Sequence, residues 1–131
     1  MAIKKVLIVD DSPTDLSNLK LILNDIDCEI VTANNGKEAI TKAKSEKPDI
    51  IFMDIVMEQM DGYEAARTIT SDSATKSIPL IFVSSKKQKA DRVWARMQGA
   101  KDLVSKPYTA EQIMDQIKAH AYSANPGHEY R

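Results

Sequence analysis

A single cysteine, Cys28, stands in the whole chain, so no internal disulfide forms and no set of thiols is present to hold zinc. That excludes disulfide-framed secreted scaffolds and Cys-based zinc modules, and makes a reducing cytoplasm the expected location. Glycine is scarce, with 4 in 131 residues. None follows the first apolar run, which removes the Gly-rich phosphate loop of nucleotide-binding α/β proteins. An excess of either charge is missing too: 18 Lys plus Arg against 19 Asp plus Glu leave a net charge of −1. Such a balance exerts no general pull on nucleic acid or anionic membrane. Lys4-Lys5 before Val6-Leu7-Ile8-Val9 has the outline of a signal peptide, but Asp10-Asp11 ends the run far short of an h-region. No other run approaches membrane-spanning length. Internal repeats and low-complexity segments are absent. The expectation is a soluble protein that stays where it is made, with neither nucleic acid nor membrane as partner.

What is present reads as one domain. The length is close to the roughly 150 residues of a typical domain, and such a chain buries about two-thirds of its unfolded surface. Val6-Leu7-Ile8-Val9, Ile50-Ile51-Phe52-Met53 and Leu80-Ile81-Phe82-Val83 are apolar without alternation, the pattern of strands covered on both faces. Glu29-Ile30-Val31-Thr32-Ala33 is more polar and Leu103-Val104 is short, so these two are the expected edges.

Between the runs lie helical patterns. Ser12, Pro13 and Asp15 read as N-cap, first-turn proline and first-turn acid, with Leu16, Leu19, Leu23 and Ile26 repeating on one face. Gly36 to Lys44 carries Ala39, Ile40 and Ala43; Asp61 caps a helix with Tyr63, Ala66 and Ile69. Ala90 to Gln98 carries Val93, Trp94 and Met97 before Gly99 stops it. Thr109-Ala110-Glu111-Gln112 matches a capping box ahead of Ile113, Ile117 and Ala121. Strict β-α alternation predicts right-handed crossovers and a doubly wound parallel sheet with helices on both faces. The expected domain runs over 1–122. Residues 123–131, with Pro126 and Gly127 and no periodicity, are expected to form a flexible tail.

In open α/β sheets ligands bind outside the carboxyl ends of the strands. There the sequence places Asp10 and Asp11, Asp54, Ser84-Ser85, and Ser105-Lys106-Pro107. Taken singly, each has a plainer reading as a turn or cap residue. Asp54 is harder to dismiss, because Ile55, Val56 and Met57 continue the apolar stretch and an isolated charge among them is costly. Three carboxylates close together repel and raise one another's pKa unless a cation sits among them. Oxygen-only ligands at an open site suit Mg²⁺, which keeps several waters and commonly binds a phosphoryl oxygen as well. Lys106 would then place positive charge on the other side of that phosphoryl group, and Ser84 a hydrogen bond.

With these residues at these spacings, joined by Met57, Asp61-Gly62 and Gly99-Ala100, the chain resembles a response-regulator receiver domain of bacterial two-component signalling from about Lys4 to Tyr122. The resemblance implies a flavodoxin-like fold with strand order 2-1-3-4-5 and Asp54 as phosphoacceptor. It implies Mg²⁺ on Asp11, Asp54 and the Val56 carbonyl, with Asp10 assisting through water, and a cis peptide before Pro107. It further implies a histidine kinase as partner and an output surface from helix 4 to strand 5. Trp94 with Gln98-Gly99-Ala100, and Asp10-Asp11-Ser12-Pro13-Thr14, are similar to the stand-alone regulators of twitching-motility systems, which work with a chemotaxis-like kinase.

Two positions depart from the family pattern: Glu58 stands where proline is usual, and Leu103 where an aromatic residue is usual. Leucine cannot act as the family's aromatic switch. The segment from Lys86 to Arg92, continued by Arg96 and Lys101, is basic. It reads either as a solvated face or as a docking site for an acidic partner. Trp94 reads as a packing anchor, and His120 and His128 carry no expected chemistry. The competing functions are a phosphate sink without its own output, a module with a vestigial pocket, and an aspartate-nucleophile phosphohydrolase. The last would need an acid where Val56 stands.

Overall fold

The computed structural model describes residues 3–57, 60–85 and 92–121. In chain order the elements are β1 (Lys5–Val9), α1 (Pro13–Leu23), β2 (Glu29–Ala33), α2 (Gly36–Glu46), β3 (Ile50–Asp54), α3 (Gly62–Ser71), β4 (Leu80–Ser84), α4 (Arg92–Met97), β5 (Asp102–Ser105) and α5 (Ala110–Gln116). The last helix continues as a π-helical turn, Ile117–Ala121. All strand pairs are parallel and the sheet order is β2-β1-β3-β4-β5. This is the expected flavodoxin-like arrangement, with the two more polar or shorter strands at the edges.

Alternation along each strand builds two cores. Leu7, Val9, Ile51, Met53, Leu80 and Phe82 pack on the face covered by α2, α3 and α4. Val6, Ile8, Ile50, Phe52, Ile81 and Val83 fill the other face, where α1 and α5 contribute Leu19, Leu23 and Ile113. Because the three inner strands are buried on both sides, their sequences show no polar alternation.

The caps follow the sequence. Ser12 Oγ accepts from the Asp15 amide at 3.3 Å with Pro13 in the first turn, and Asp61 Oδ1 accepts from Glu64 at 2.9 Å. Thr109 and Gln112 form the reciprocal capping box. Gly99 adopts a φ of 97° to end the α4 region, and a Cβ there would collide with the Thr70 side chain.

One helix face requires correction. Val93 and Met97 were expected on the buried stripe of α4, yet they are 70% and 73% exposed, and Ala95 is buried instead. Residues four apart share a face, whereas Ala95 lies about 200° around the helix from Val93 at 100° per residue. A helix that seats a small alanine against the sheet must turn Val93 and Met97 outward. Trp94 is half-buried on Tyr63, ring centroids 3.7 Å apart, and Tyr63 meets Phe82 edge-on at 5.3 Å. Ala90, the expected start of this helix, lies outside the described residues, as do Glu58, the Lys86 to Asp91 part of the basic segment, and residues 122–131, which include His128 and the expected tail 123–131.

Candidate functional site

The parallel register delivers the rim. Val9 pairs with Met53, Asp54 with Val83, and Ser84 with Ser105. The residues at and just past these pairs therefore emerge together at the carboxyl edge. Carboxylate oxygens of Asp10, Asp11 and Asp54 all lie within 4.8 Å of one another. Asp10 and Asp54 are buried while Asp11 is exposed. Asp10 Oδ1 accepts the Ser12 amide at 2.9 Å, which shapes the entry into α1 and orients the pair. The turn after β3 closes through Gly62, whose amide donates to the Ile55 carbonyl at 2.7 Å. A Cβ on Gly62 would run into the carbonyl oxygen of Asp54, so only glycine lets α3 start this close to the rim. Val56 lies in that turn, two residues past Asp54, and its side chain is exposed.

Lys106 reaches into the cluster from beyond β5. Its Nζ lies 3.0 Å from Asp10 Oδ2, 2.8 Å from Asp15 Oδ2 and 3.5 Å from Asp54 Oδ1. The Lys106–Pro107 peptide is cis, as the resemblance implies. Ser84 is buried, and its carbonyl accepts the Lys106 amide at 2.6 Å. The five residues singled out from the sequence are thus on one rim, and the structure adds Asp15 to the lysine's partners. Asp15 read only as a first-turn acid; its position one helical turn beyond an acidic pair was the available signal.

The electrostatics are those of crowded carboxylates. Burial, and then the neighbouring charge of Asp10, pushes the Asp54 carboxyl up to about 6, against a smaller opposing pull from Lys106. Burial also raises Asp10, with the Ser12 amide and Lys106 working against it. Burial alone would lower the Lys106 ammonium, but hydrogen bonds to Asp15 and Asp10 and the charge of Asp54 raise it above its ordinary value. The lysine stays charged. An all-carboxylate donor set with repulsion left over fits a hard divalent cation such as Mg²⁺ and offers nothing to a thiophilic metal.

Away from this rim, Arg92 Nε donates to Asp102 Oδ1 at 2.8 Å and Gln116 Nε2 to Asp102 Oδ2 at 3.0 Å, linking α4, β5 and α5. Arg92 and Gln116 border a recess of about 430 Å³ that also touches Leu103. Leu103 itself is buried, within the core of the α2–α4 face. His120 sits on the π-helical turn, where burial lowers its pKa, and Asp102, Lys101 and Arg96 are charged groups near it. Among the described residues no helix is long and apolar enough to cross a membrane.

The chain has clear counterparts among known proteins. The family model for the response regulator receiver domain matches residues 6–118. The chain is 41% identical to protein PilH of Pseudomonas aeruginosa over 88% of its own length and 95% of that protein. It is 37% identical to protein PilG of the same organism over 93% and 90% of the two chains. Among solved structures, the receiver domain of a sensor histidine kinase from Pseudomonas aeruginosa PAO1, with a magnesium ion coordinated in its active site cleft, superposes with a TM-score of 0.83 at 22% identity, covering 92% of this chain and 99% of that one.

Proposed function

This chain belongs to the response regulator receiver domain family, and we propose that it is a stand-alone regulator that takes a phosphoryl group on Asp54 from a histidine kinase. The observation that carries the reading is the setting of Asp54. It is buried at the end of a central strand, 3.5 Å from the Lys106 ammonium and grouped with Asp10 and Asp11. Coverage of nine-tenths or more of both PilH and PilG supports the stand-alone form. The reading further assigns the protein to motility or chemotaxis-like signalling in the cytoplasm, with residues 1–122 as the receiver and 123–131 as a tail.

In the transfer, an Asp54 carboxylate oxygen forms a bond to phosphorus as the phosphorus–nitrogen bond of a phosphohistidine breaks. The leaving imidazole keeps the electron pair and takes a proton from solvent. Lys106 and Ser84 are assigned to the phosphoryl oxygens, the first by charge and the second by a hydrogen bond. Asp11, Asp54 and the Val56 carbonyl are assigned to hold Mg²⁺, with Asp10 acting through water. When bound, the ion offsets the negative charge gathered at the phosphoryl group. The acyl phosphate later returns to carboxylate and inorganic phosphate as water attacks phosphorus. Output is assigned to the surface from α4 to β5, where the recess and the outward Val93 and Met97 lie.

Intact-mass measurement after exposure to acetyl phosphate and Mg²⁺ tests the assignment. One phosphate is expected on the wild type and none on Asp54→Asn or after chelation. Equal labelling of Asp54→Asn would overturn it. Transfer from candidate kinases, read the same way, then identifies the donor.

A further inference from the structure

We infer that Asp15 is a positioning residue that holds Lys106 back from the phosphoacceptor and so restrains phosphorylation, an inference that rests on the reading of Asp54 above. The distances rank the lysine's partners: Asp15 at 2.8 Å, Asp10 at 3.0 Å, and Asp54 at 3.5 Å. Only the first two are hydrogen bonds. An ammonium has three N–H bonds to give, and two are committed to carboxylates that do not receive the phosphoryl group. The lysine is therefore tethered toward α1, and its weakest contact is the one the chemistry requires.

The tether is built into the local fold. The Asp15 amide is bound by Ser12 Oγ, and the Ser12 amide by Asp10 Oδ1. One N-cap thus fixes both carboxylates that hold the lysine. Asp15 is outside the group of three carboxylates that could share a metal ion, so replacing it leaves that donor set whole. When a phosphoryl group arrives on Asp54, its oxygens compete with Asp15 for the ammonium. The stronger the hold of Asp15, the less lysine charge reaches the transferring group.

Asp15→Asn keeps the shape and removes the charge. Relative to wild type, this variant should take up phosphate from acetyl phosphate about fivefold faster at saturating Mg²⁺ and bind fluoroberyllate, a phosphoryl analogue, about fivefold more tightly, the scale of one partly exposed ion pair. Asp15→Ala should behave alike. In a Lys106→Ala background the same replacements should change neither quantity, which separates an effect through the lysine from a general loss of negative charge. Unchanged rates and affinities in Asp15→Asn, or an equal gain without Lys106, would overturn the inference. Wild-type protein that takes no phosphate on Asp54 would instead overturn the reading beneath it.

Discussion

The amide of Lys106 donates to the carbonyl of Ser84 at 2.6 Å, which ties the residue after β5 to the last residue of β4. Drawing the Ser84 side chain toward a phosphoryl group therefore pulls on the chain that leaves β4 at Ser85 as well as on Lys106. Ser84→Ala should still accept phosphate on Asp54 yet lose most of the phosphorylation-dependent change in hydrogen exchange at Ser85 and over α4. Leu103→Ala, by contrast, should cost about 2–4 kcal/mol of stability by opening a cavity while leaving that change in place. Full exchange changes in Ser84→Ala would show that the coupling runs elsewhere.

Asp54 makes stability depend on pH. Its folded carboxyl titrates at about 6 against 3.8 for the ordinary group, so the folded state binds the proton more tightly than the unfolded chain. The stability that this proton contributes is present below about pH 4 and is lost as pH rises through about 6, an effect on the order of 3 kcal/mol. Metal-free urea titrations from pH 4 to 7.5 should show wild type losing ground to Asp54→Asn across that window. Parallel curves would refute the burial argument.

Asp11 is the exposed member of the carboxylate group, so its removal disturbs the fold least. Asp11→Ala should weaken Mg²⁺ binding at least about tenfold, a loss of about 1.4 kcal/mol, with little change in melting temperature of the metal-free protein. Calorimetric titration that finds equal affinities contradicts the proposed donor set.

Gly62 reports on how tightly the site is built. Because a Cβ there meets the Asp54 carbonyl oxygen, Gly62→Ala should destabilise by about 2–3 kcal/mol through overpacking and slow phosphorylation by moving the turn. Wild-type stability in urea would mean that α3 yields freely.

The strands, their parallel sense and the shared rim were legible because they depend on short-range rules, whereas the strand order followed from the family resemblance. Unbroken apolar runs mark doubly covered strands, and strand ends in such sheets share one rim. Ser12, Asp61 and Thr109 cap as their sequence contexts predict. The face of α4 was not legible, since Val93, Trp94, Ala95 and Met97 allow two apolar stripes and only contact with Tyr63 and the sheet selects one. Asp15 was read as a helix-dipole acid. Its second partner, Lys106, lies 91 residues away, a separation no local pattern encodes. Likewise Gly62 announces a turn in the sequence but not the backbone it must pass.

Each rim residue stands at a fixed count from its strand's buried pairs: Asp54 opposite Val83, Ser84 opposite Ser105, Lys106 one step further. The strands thus work as rulers. Exchanging one apolar residue for another alters packing but not the count, so the interior of β1, β3 and β4 is free to drift in identity. A one-residue insertion or deletion in any of them would turn the following side chains to the opposite face and carry a rim residue out of reach. Variation in length among proteins with this site should accordingly gather at the opposite edge of the sheet and in the helix-to-strand connections, where no count is kept.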